Sequence, residues 1–275
     1  MIKTKTIVAW PKAGLSANHG IFGVTLNEKR DRIYISCLRT QGLLVIDGST
    51  NRYEKIIPLD IGGHPGLSSV VYNPVTNRLY TTASNQNKLC IVDAGKEKLI
   101  RVMEMLDGPR GVTVDPKRGY IFVAHYGEGW FGGADTITVL DKNEEEIKKI
   151  KVKPRPWEMT VDPEGDRTYV SCKDVDLYKP GSLCVIDNES LEVVMNVRVG
   201  RRPRGVAVNH KAGKAYVACR YDSAVYVVDV NKGRVLKRID VNCDPIGVVF
   251  NPHKNEIYVI NRQGKMRLGQ TFMGS

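Results

Sequence analysis

Arginine is the residue type whose placement in this chain could do chemistry. Arg110, Arg155, Arg202 and Arg204 fall in short turns built of Pro, Arg and Gly, while Lys173, Arg220 and Arg262 each directly follow a Tyr-Val-x-x segment. Arg39 stands two places after a related segment, Tyr34-Ile35-Ser36-Cys37. A guanidinium stays charged and grips a carboxylate or phosphate through parallel N–H donors. If the fold gathers these groups at one opening, a low-dielectric mouth lined by one sign of charge would concentrate anions. The plain alternatives are that several point outward and pair with local acids, or that they only keep soluble a chain of formal net charge +11.

Two residues could move protons. Glu158 stands where five corresponding places hold Gly or Ser, and His125 interrupts a column otherwise made of Cys37, Ala83, Cys172, Cys219 and Asn261. A carboxylate in such a wall pays desolvation unless it is paired. Glu158 could be a general base, a metal ligand or, most simply, a salt-bridge partner of the arginines. His125 could carry a proton beside it or be a hydrogen-bonded structural histidine. Trp130, Phe131, Trp157 and Tyr178 could supply an apolar or stacking wall.

Such groups meet only if the chain repeats. Six segments align: GVTLNEKRDRIYIS from Gly23, SVVYNPVTNRLYTT from Ser69, GVTVDPKRGYIFVA from Gly111, EMTVDPEGDRTYVS from Glu158, GVAVNHKAGKAYVA from Gly205 and GVVFNPHKNEIYVI from Gly247. Each has Asn or Asp at its fifth position and an aromatic residue seven places later, from Asn27 and Tyr34 in the first copy to Asn251 and Tyr258 in the last. Period-two alternation predicts strands, and the Asx-Pro pairs between them predict turns. A third strand ends in Asp at 47, 93, 141, 187 and 229, and a fourth follows, as in residues 193–200. Four strands in each of six copies predict an all-β, six-bladed β-propeller with four-stranded antiparallel blades. It is expected as a single domain over 1–275, with repeats beginning near 23, 69, 111, 158, 205 and 247. The sixth copy runs into GKMRLGQTFMGS, a poor third strand, so residues 1–12 are expected to pair with the C-terminal blade and close the ring. A seven-bladed parent that lost its last blade is the rival.

The segments YVSC at 169–172, YVAC at 216–219 and YVIN at 258–261, with the Asn-Pro turns and the V-I-D third strands, resemble the YVTN family of bacterial and archaeal β-propellers. The resemblance covers nearly the whole chain and implies the fold far more firmly than any function. Relatives include surface-layer and periplasmic proteins with binding roles, and broader propeller kin include lactonases and a streptogramin lyase. The motif departs from the family in that its Asn survives only as Asn261.

In a propeller the start of strand one and the end of strand two share a rim. The column Leu38, Ser84, Tyr126, Lys173, Arg220, Arg262 therefore becomes a ring at one mouth, with the inter-copy arginines beside it. The loops at 125–135 and 173–182 are the long ones, so a ligand is expected off-centre, over blades three and four. Ordinary family insertions are the alternative.

The remaining features exclude more than they assign. Cysteines 37, 90, 172, 184, 219 and 243 include no CxxC pair, so structural zinc is not expected and the thiols read as small buried side chains. A nucleophilic Cys172 beside His125 is the sharper option. His19, His64, Glu158 and Asn261 could hold a divalent metal, but a cationic rim opposes it, so no cofactor is expected. There is no glycine-rich nucleotide loop, serine elbow or HExxH, and basic–aromatic interleaving does not recur copy by copy, which argues against nucleic acid. No apolar run reaches the length of a signal core or membrane span. The chain is therefore expected in the cytoplasm, or exported if a leader has been removed. Three functions fit. The first is binding of an anionic small molecule, glycan or protein at the cationic mouth. The second is a cofactor-independent or metal-assisted lyase, isomerase or hydrolase using His125 and Glu158. The third is a protein-interaction scaffold.

Overall fold

A computed structural model of the chain describes residues 20–127, 133–241 and 244–261. Residues 1–12, the expected closing strand, lie outside this range, as do His19, Trp130, Phe131, Cys243 and Arg262. The chain divides into two compact units, 1–119 and 120–275.

The first unit holds two complete antiparallel sheets and one further strand. Strands β1 (Ile21–Asn27), β2 (Arg32–Cys37), β3 (Gly42–Asp47) and β4 (Arg52–Pro58) pair in chain order. So do β5 (Leu67–Asn73), β6 (Arg78–Ala83), β7 (Lys88–Asp93) and β8 (Lys98–Glu104). Strand β9 (Pro109–Val114) opens the third copy. The second unit continues with β10 (Ile121–His125), β11 (Thr136–Leu140) and β12 (Glu146–Lys151), again paired in order. Two complete sheets follow: β13 (Pro156–Asp162) to β16 (Glu192–Arg201) through β14 (Arg167–Cys172) and β15 (Pro180–Asp187), and β17 (Pro203–Asn209) to β20 (Arg234–Asp240) through β18 (Lys214–Cys219) and β19 (Ala224–Asp229). The hairpin of β21 (Pro245–Asn251) and β22 (Glu256–Asn261) ends the described chain. The repeated four-stranded antiparallel copies expected of propeller blades are thus present.

Local chemistry explains the punctuation. The aspartate that ends each third strand closes the next turn with its own carboxylate: Asp93 Oδ1 accepts the amides of Gly95 and Lys96 at 2.8 and 2.9 Å, and Asp187 and Asp229 do the same two and three residues on. In five of the copies the Asx at the fifth position caps the turn to strand two, as Asn73 Oδ1 does for Val75 at 2.9 Å, whereas Asn27 in the first copy makes no such bond. Amides donating to the carboxylates of Asp93 and Asp229 hold both below the usual carboxylate range.

The copies are stable through each other, as a four-stranded sheet buries its faces only against a neighbour. Tyr34, Leu43 and Val45 of the first copy pack on Leu67, Leu79 and Cys90 of the second. In the second unit Phe122 and Val139 pack on Val170 and Ile186, and Tyr169 and Val185 pack on Val206 and Val217. Each such side chain contributes about 1.5–3 kcal/mol by leaving water. Among the described residues no helix is long and apolar enough to cross a membrane.

Candidate functional site

The site begins in the backbone between copies. The residue just before each first strand has a left-handed φ: Gly20 (60°), Gly66 (64°), Gly108 (62°), Arg155 (54°), Arg202 (54°) and Asp244 (63°). Three glycines take this conformation freely. Arg155, Arg202 and Asp244 do not, and each also precedes a proline, which restricts it further. A non-glycine residue held there costs on the order of 1–3 kcal/mol, and such strain collects at ligand clamps. A bulge follows, so that Trp157 interrupts the pairing of β13 with β14 between Pro156 and Glu158.

The carbonyl of the left-handed residue then accepts the amide of the residue after strand two. Leu38 bonds Gly20 at 3.0 Å, Ser84 bonds Gly66 at 3.2 Å, Lys173 bonds Arg155 at 3.1 Å and Arg220 bonds Arg202 at 3.1 Å. One more bond crosses between copies: Ser171 Oγ donates to the Arg204 carbonyl at 2.5 Å, as Thr82 Oγ1 does to Arg110 at 2.6 Å in the first unit. These bonds fix where the cationic side chains start.

In the second unit those side chains converge on aromatic rings. Lys173, only 1% exposed, places Nζ 2.9 Å from the Trp157 ring centroid and 4.8 Å from that of Tyr126. The two rings meet edge to face at 5.0 Å. Arg155, equally buried, sets its guanidinium 5.6 Å from the Tyr126 centroid, and Arg204 lies 4.5 Å from that of Trp157. Arg155 is itself held by the end of the copy-three loop, its amide donating to the Ala134 carbonyl at 2.8 Å. Each cation–ring contact is worth about 0.5–2 kcal/mol. A guanidinium that lays its face on a ring still directs its N–H donors outward in its own plane.

Glu158 completes this cluster. It is half-buried: protein surrounds its carboxyl closely while part of the residue stays open. Burial pushes that carboxyl up to about 7, against the pull of the Met159 amide and the charges of Arg204 and Lys173. A carboxylic acid with its midpoint near neutrality can give or take a proton under ordinary conditions.

A second stack stands on the next inter-copy turn. Arg202 and Arg220 lie 4.7 and 5.8 Å from the Tyr221 centroid, and Arg202 Nη1 donates to the Tyr221 hydroxyl. Tyr178, largely exposed, tilts against Tyr221 at 6.0 Å. Arg220 is paired in a two-point bridge with Asp244, through Nε to Oδ1 and through Nη2 to Oδ2 at 2.8 Å.

Of the residues expected from sequence, Tyr126, Arg155, Trp157, Glu158, Lys173 and Arg204 thus come together, and Arg202, Arg220 and Tyr178 share the second stack. Arg39 and Arg110 belong to the first unit, exposed and half-buried respectively. Trp130 and Arg262 lie outside the described residues. His125 is fully buried, with Nε2 2.9 Å from Thr138 Oγ1 on the adjacent strand. Two residues were missed, Tyr221 and Asp244. Asp244 carries a sequence signal, because Asp-Pro sits where three other copies have Gly-Pro or Arg-Pro. Among the described residues no group of three or more His, Cys, Asp or Glu is placed to hold a metal.

Comparison with known proteins supports the fold alone. No protein-family model matches the chain, and no curated protein sequence matches it. Among solved structures, hydrazine synthase of Kuenenia stuttgartiensis is similar over 91% of this chain and 95% of its own, at 15% identity and a TM-score of 0.61. A streptogramin B lyase structure is similar over 88% of this chain and 76% of its own, at 14% identity and a TM-score of 0.70. Both are β-propellers, and this chain has that fold.

Proposed function

We propose that this β-propeller binds an anionic small molecule or the anionic group of a glycan at the Arg155–Lys173–Arg204 cluster. The observation that carries the reading is the placement of three buried cations around the Tyr126–Trp157 pair, with two of the nearby backbone turns held in a strained conformation at Arg155 and Arg202. Packing an ammonium and two guanidiniums together out of water is unfavourable by itself. The rings offset part of this, Glu158 lies within electrostatic reach of Arg204 and Lys173, and an oxyanion would add charge-assisted N–H bonds.

Thermal unfolding with inorganic phosphate, citrate and glucuronate, at low and high sodium chloride, tests this. At least one anion should raise the melting temperature, less so in salt. Lys173→Met keeps the length of the side chain without its charge. It should lose most of the anion-dependent rise. An equal rise in Lys173→Met and parent would overturn the assignment.

Glu158 favours a second reading, an enzyme that moves a proton on the bound anion. In that case Glu158→Gln would retain anion binding and lose turnover.

A further inference from the structure

The second unit carries a cavity at the ends of its strands opposite the cationic cluster. It has a volume of about 540 Å³ and is lined from the C-terminal ends of β13, β17 and β21 and the turns after them. Asp162 is four residue steps beyond Glu158, so the cavity lies about 13 Å along β13 from the cationic cluster. Its size is that of a small-molecule site.

An imidazole is held at this cavity by a carboxylate. His210 Nδ1 lies 2.9 Å from Asp162 Oδ2, and Asp162 Oδ1 takes the Gly165 amide at 3.1 Å. Asp162 is 6% exposed, whereas the His210 side chain is 45% exposed. The carboxylate assigns the neutral ring's proton to Nδ1, which leaves the Nε2 lone pair as an acceptor.

The sequence of this one inter-copy contact is shaped for the pair. Where His210 stands, four other copies have proline: Pro74, Pro116, Pro163 and Pro252. Where Gly165 stands, the others have Arg30, Thr76, Arg118, Ala212 and Lys254. A Cβ at Gly165 would lie 2.5 Å from Asp162 Oδ2 and 3.0 Å from His210 Nδ1. The copy that lacks a side chain is therefore the copy against which the histidine packs.

We infer that this cavity is a second binding site, for a neutral polyhydroxylated ligand of the sugar class, with a ligand hydroxyl donating a hydrogen bond to His210 Nε2. The rest of the lining fits that chemistry. Asn255 accepts from Asn209 Nδ2 at 3.2 Å through its amide oxygen, so its NH2 group is left to donate to a hydroxyl oxygen. Lys211 adds donors and Glu164 adds acceptors, while Phe250 and Pro252 offer an apolar patch to the C–H face of a ring. A ligand bound here needs no charge, so its affinity is insensitive to salt, unlike that of the cationic cluster.

The test is a titration of the full chain with glucose, galactose, mannose, N-acetylglucosamine and myo-inositol, read by the NMR signals of the His210 ring. At least one should shift those signals saturably, equally at low and high sodium chloride, and equally in Lys173→Met. By calorimetry with the probe that shifts the parent's signals, His210→Ala should weaken binding by about tenfold, the loss expected for one hydrogen bond of ordinary strength. Gly165→Ala, which leaves the imidazole in place but crowds its bond to Asp162, should weaken it too. If none of the five probes moves the His210 signals, or if both variants bind like the parent, the site is not a sugar site. Lys173→Met separates the two sites, since its failure to bind anions would leave this result untouched.

Discussion

The amide of Lys173 donates to the carbonyl of Arg155 at 3.1 Å, and Arg155 holds a left-handed φ of 54° directly before Pro156. The same bond ends on glycine in the first two copies, at Gly20 and Gly66. The turn geometry is therefore a property of the repeat, and glycine is its unstrained solution. Placing arginine there keeps the turn and adds a cation at its cost in stability. Two such arginines, 47 places apart in equivalent positions, each face an aromatic ring and a second cation from the next column.

If the strain at Arg202 serves the proposed anion binding, a trade follows. Arg202→Gly relieves the left-handed backbone by about 1 kcal/mol and gives up the contacts with Tyr221. Denaturant unfolding should show stability within about 1 kcal/mol of the parent, with no sharp fall. Phosphate binding, read by calorimetry, should weaken several-fold. A large loss of stability with unchanged binding would make Arg202 a packing residue only.

Glu158 predicts the pH dependence of both stability and binding. Its folded-state carboxyl is raised to about 7 from an ordinary 4.5, chiefly by burial. The folded state thus holds the proton more tightly than the unfolded chain does. This contribution to stability is fully present below about 4.5 and is lost as pH rises through about 7, by on the order of 3 kcal/mol at most. Glu158→Gln should flatten the curve over that window and be the more stable protein above it. Anion affinity should fall as pH rises through about 7 in the parent, because a negative charge appears among the cations, and Glu158→Gln should remove that step. A parent whose binding does not vary between pH 6 and 8 would show that Glu158 does not face the anion.

The repeat was legible because its punctuation is local. In five copies the Asx at the fifth position, and in the third strands the closing Asp, act on amides a few residues away, and the fully buried Tyr34, Tyr80, Phe122 and Tyr169 repeat with them. The column containing Lys173 and Arg220 was legible for the same reason, since alignment alone places those residues after strand two. The stacking was not. Trp157 turns toward Lys173 through a bulge that no residue type announces, and Tyr221 lies one place beyond the aligned column. The His210–Asp162 pair joins residues 48 apart, and its signals, a histidine in place of proline and one glycine, acquire meaning only across two copies.

Arg220 is already engaged by Asp244, and that fixes what removing the acid should do. The two side chains are 15% and 12% exposed and joined at two points. Asp244→Asn keeps the shape and deletes the charge, leaving a desolvated guanidinium; unfolding stability should drop by about 1–3 kcal/mol. Phosphate should restore part of that loss and bind the variant more tightly than the parent, because Arg220 becomes available to it. If phosphate stabilises both proteins equally, the second stack takes no part in anion binding.

Buried thiols give the last prediction. Cys37, Cys90, Cys172, Cys184 and Cys219 are all free and buried. Burial pushes Cys37 up to about 11 and Cys90 up to about 12, and it raises Cys172 as well. Cys172 and Cys184 lie on adjacent strands with sulfurs 3.4 Å apart, close enough for one thiol to donate to the other. A thiol without thiolate character is a poor nucleophile. In a Cys243→Ser background, Ellman's reagent at neutral pH should therefore find no reactive thiol in the folded protein and five after denaturation. Rapid native labelling at Cys172, mapped by mass spectrometry, would instead revive a nucleophilic role for it. Cys172→Ala should lower stability by about 1 kcal/mol for the lost sulfur packing, without changing anion affinity.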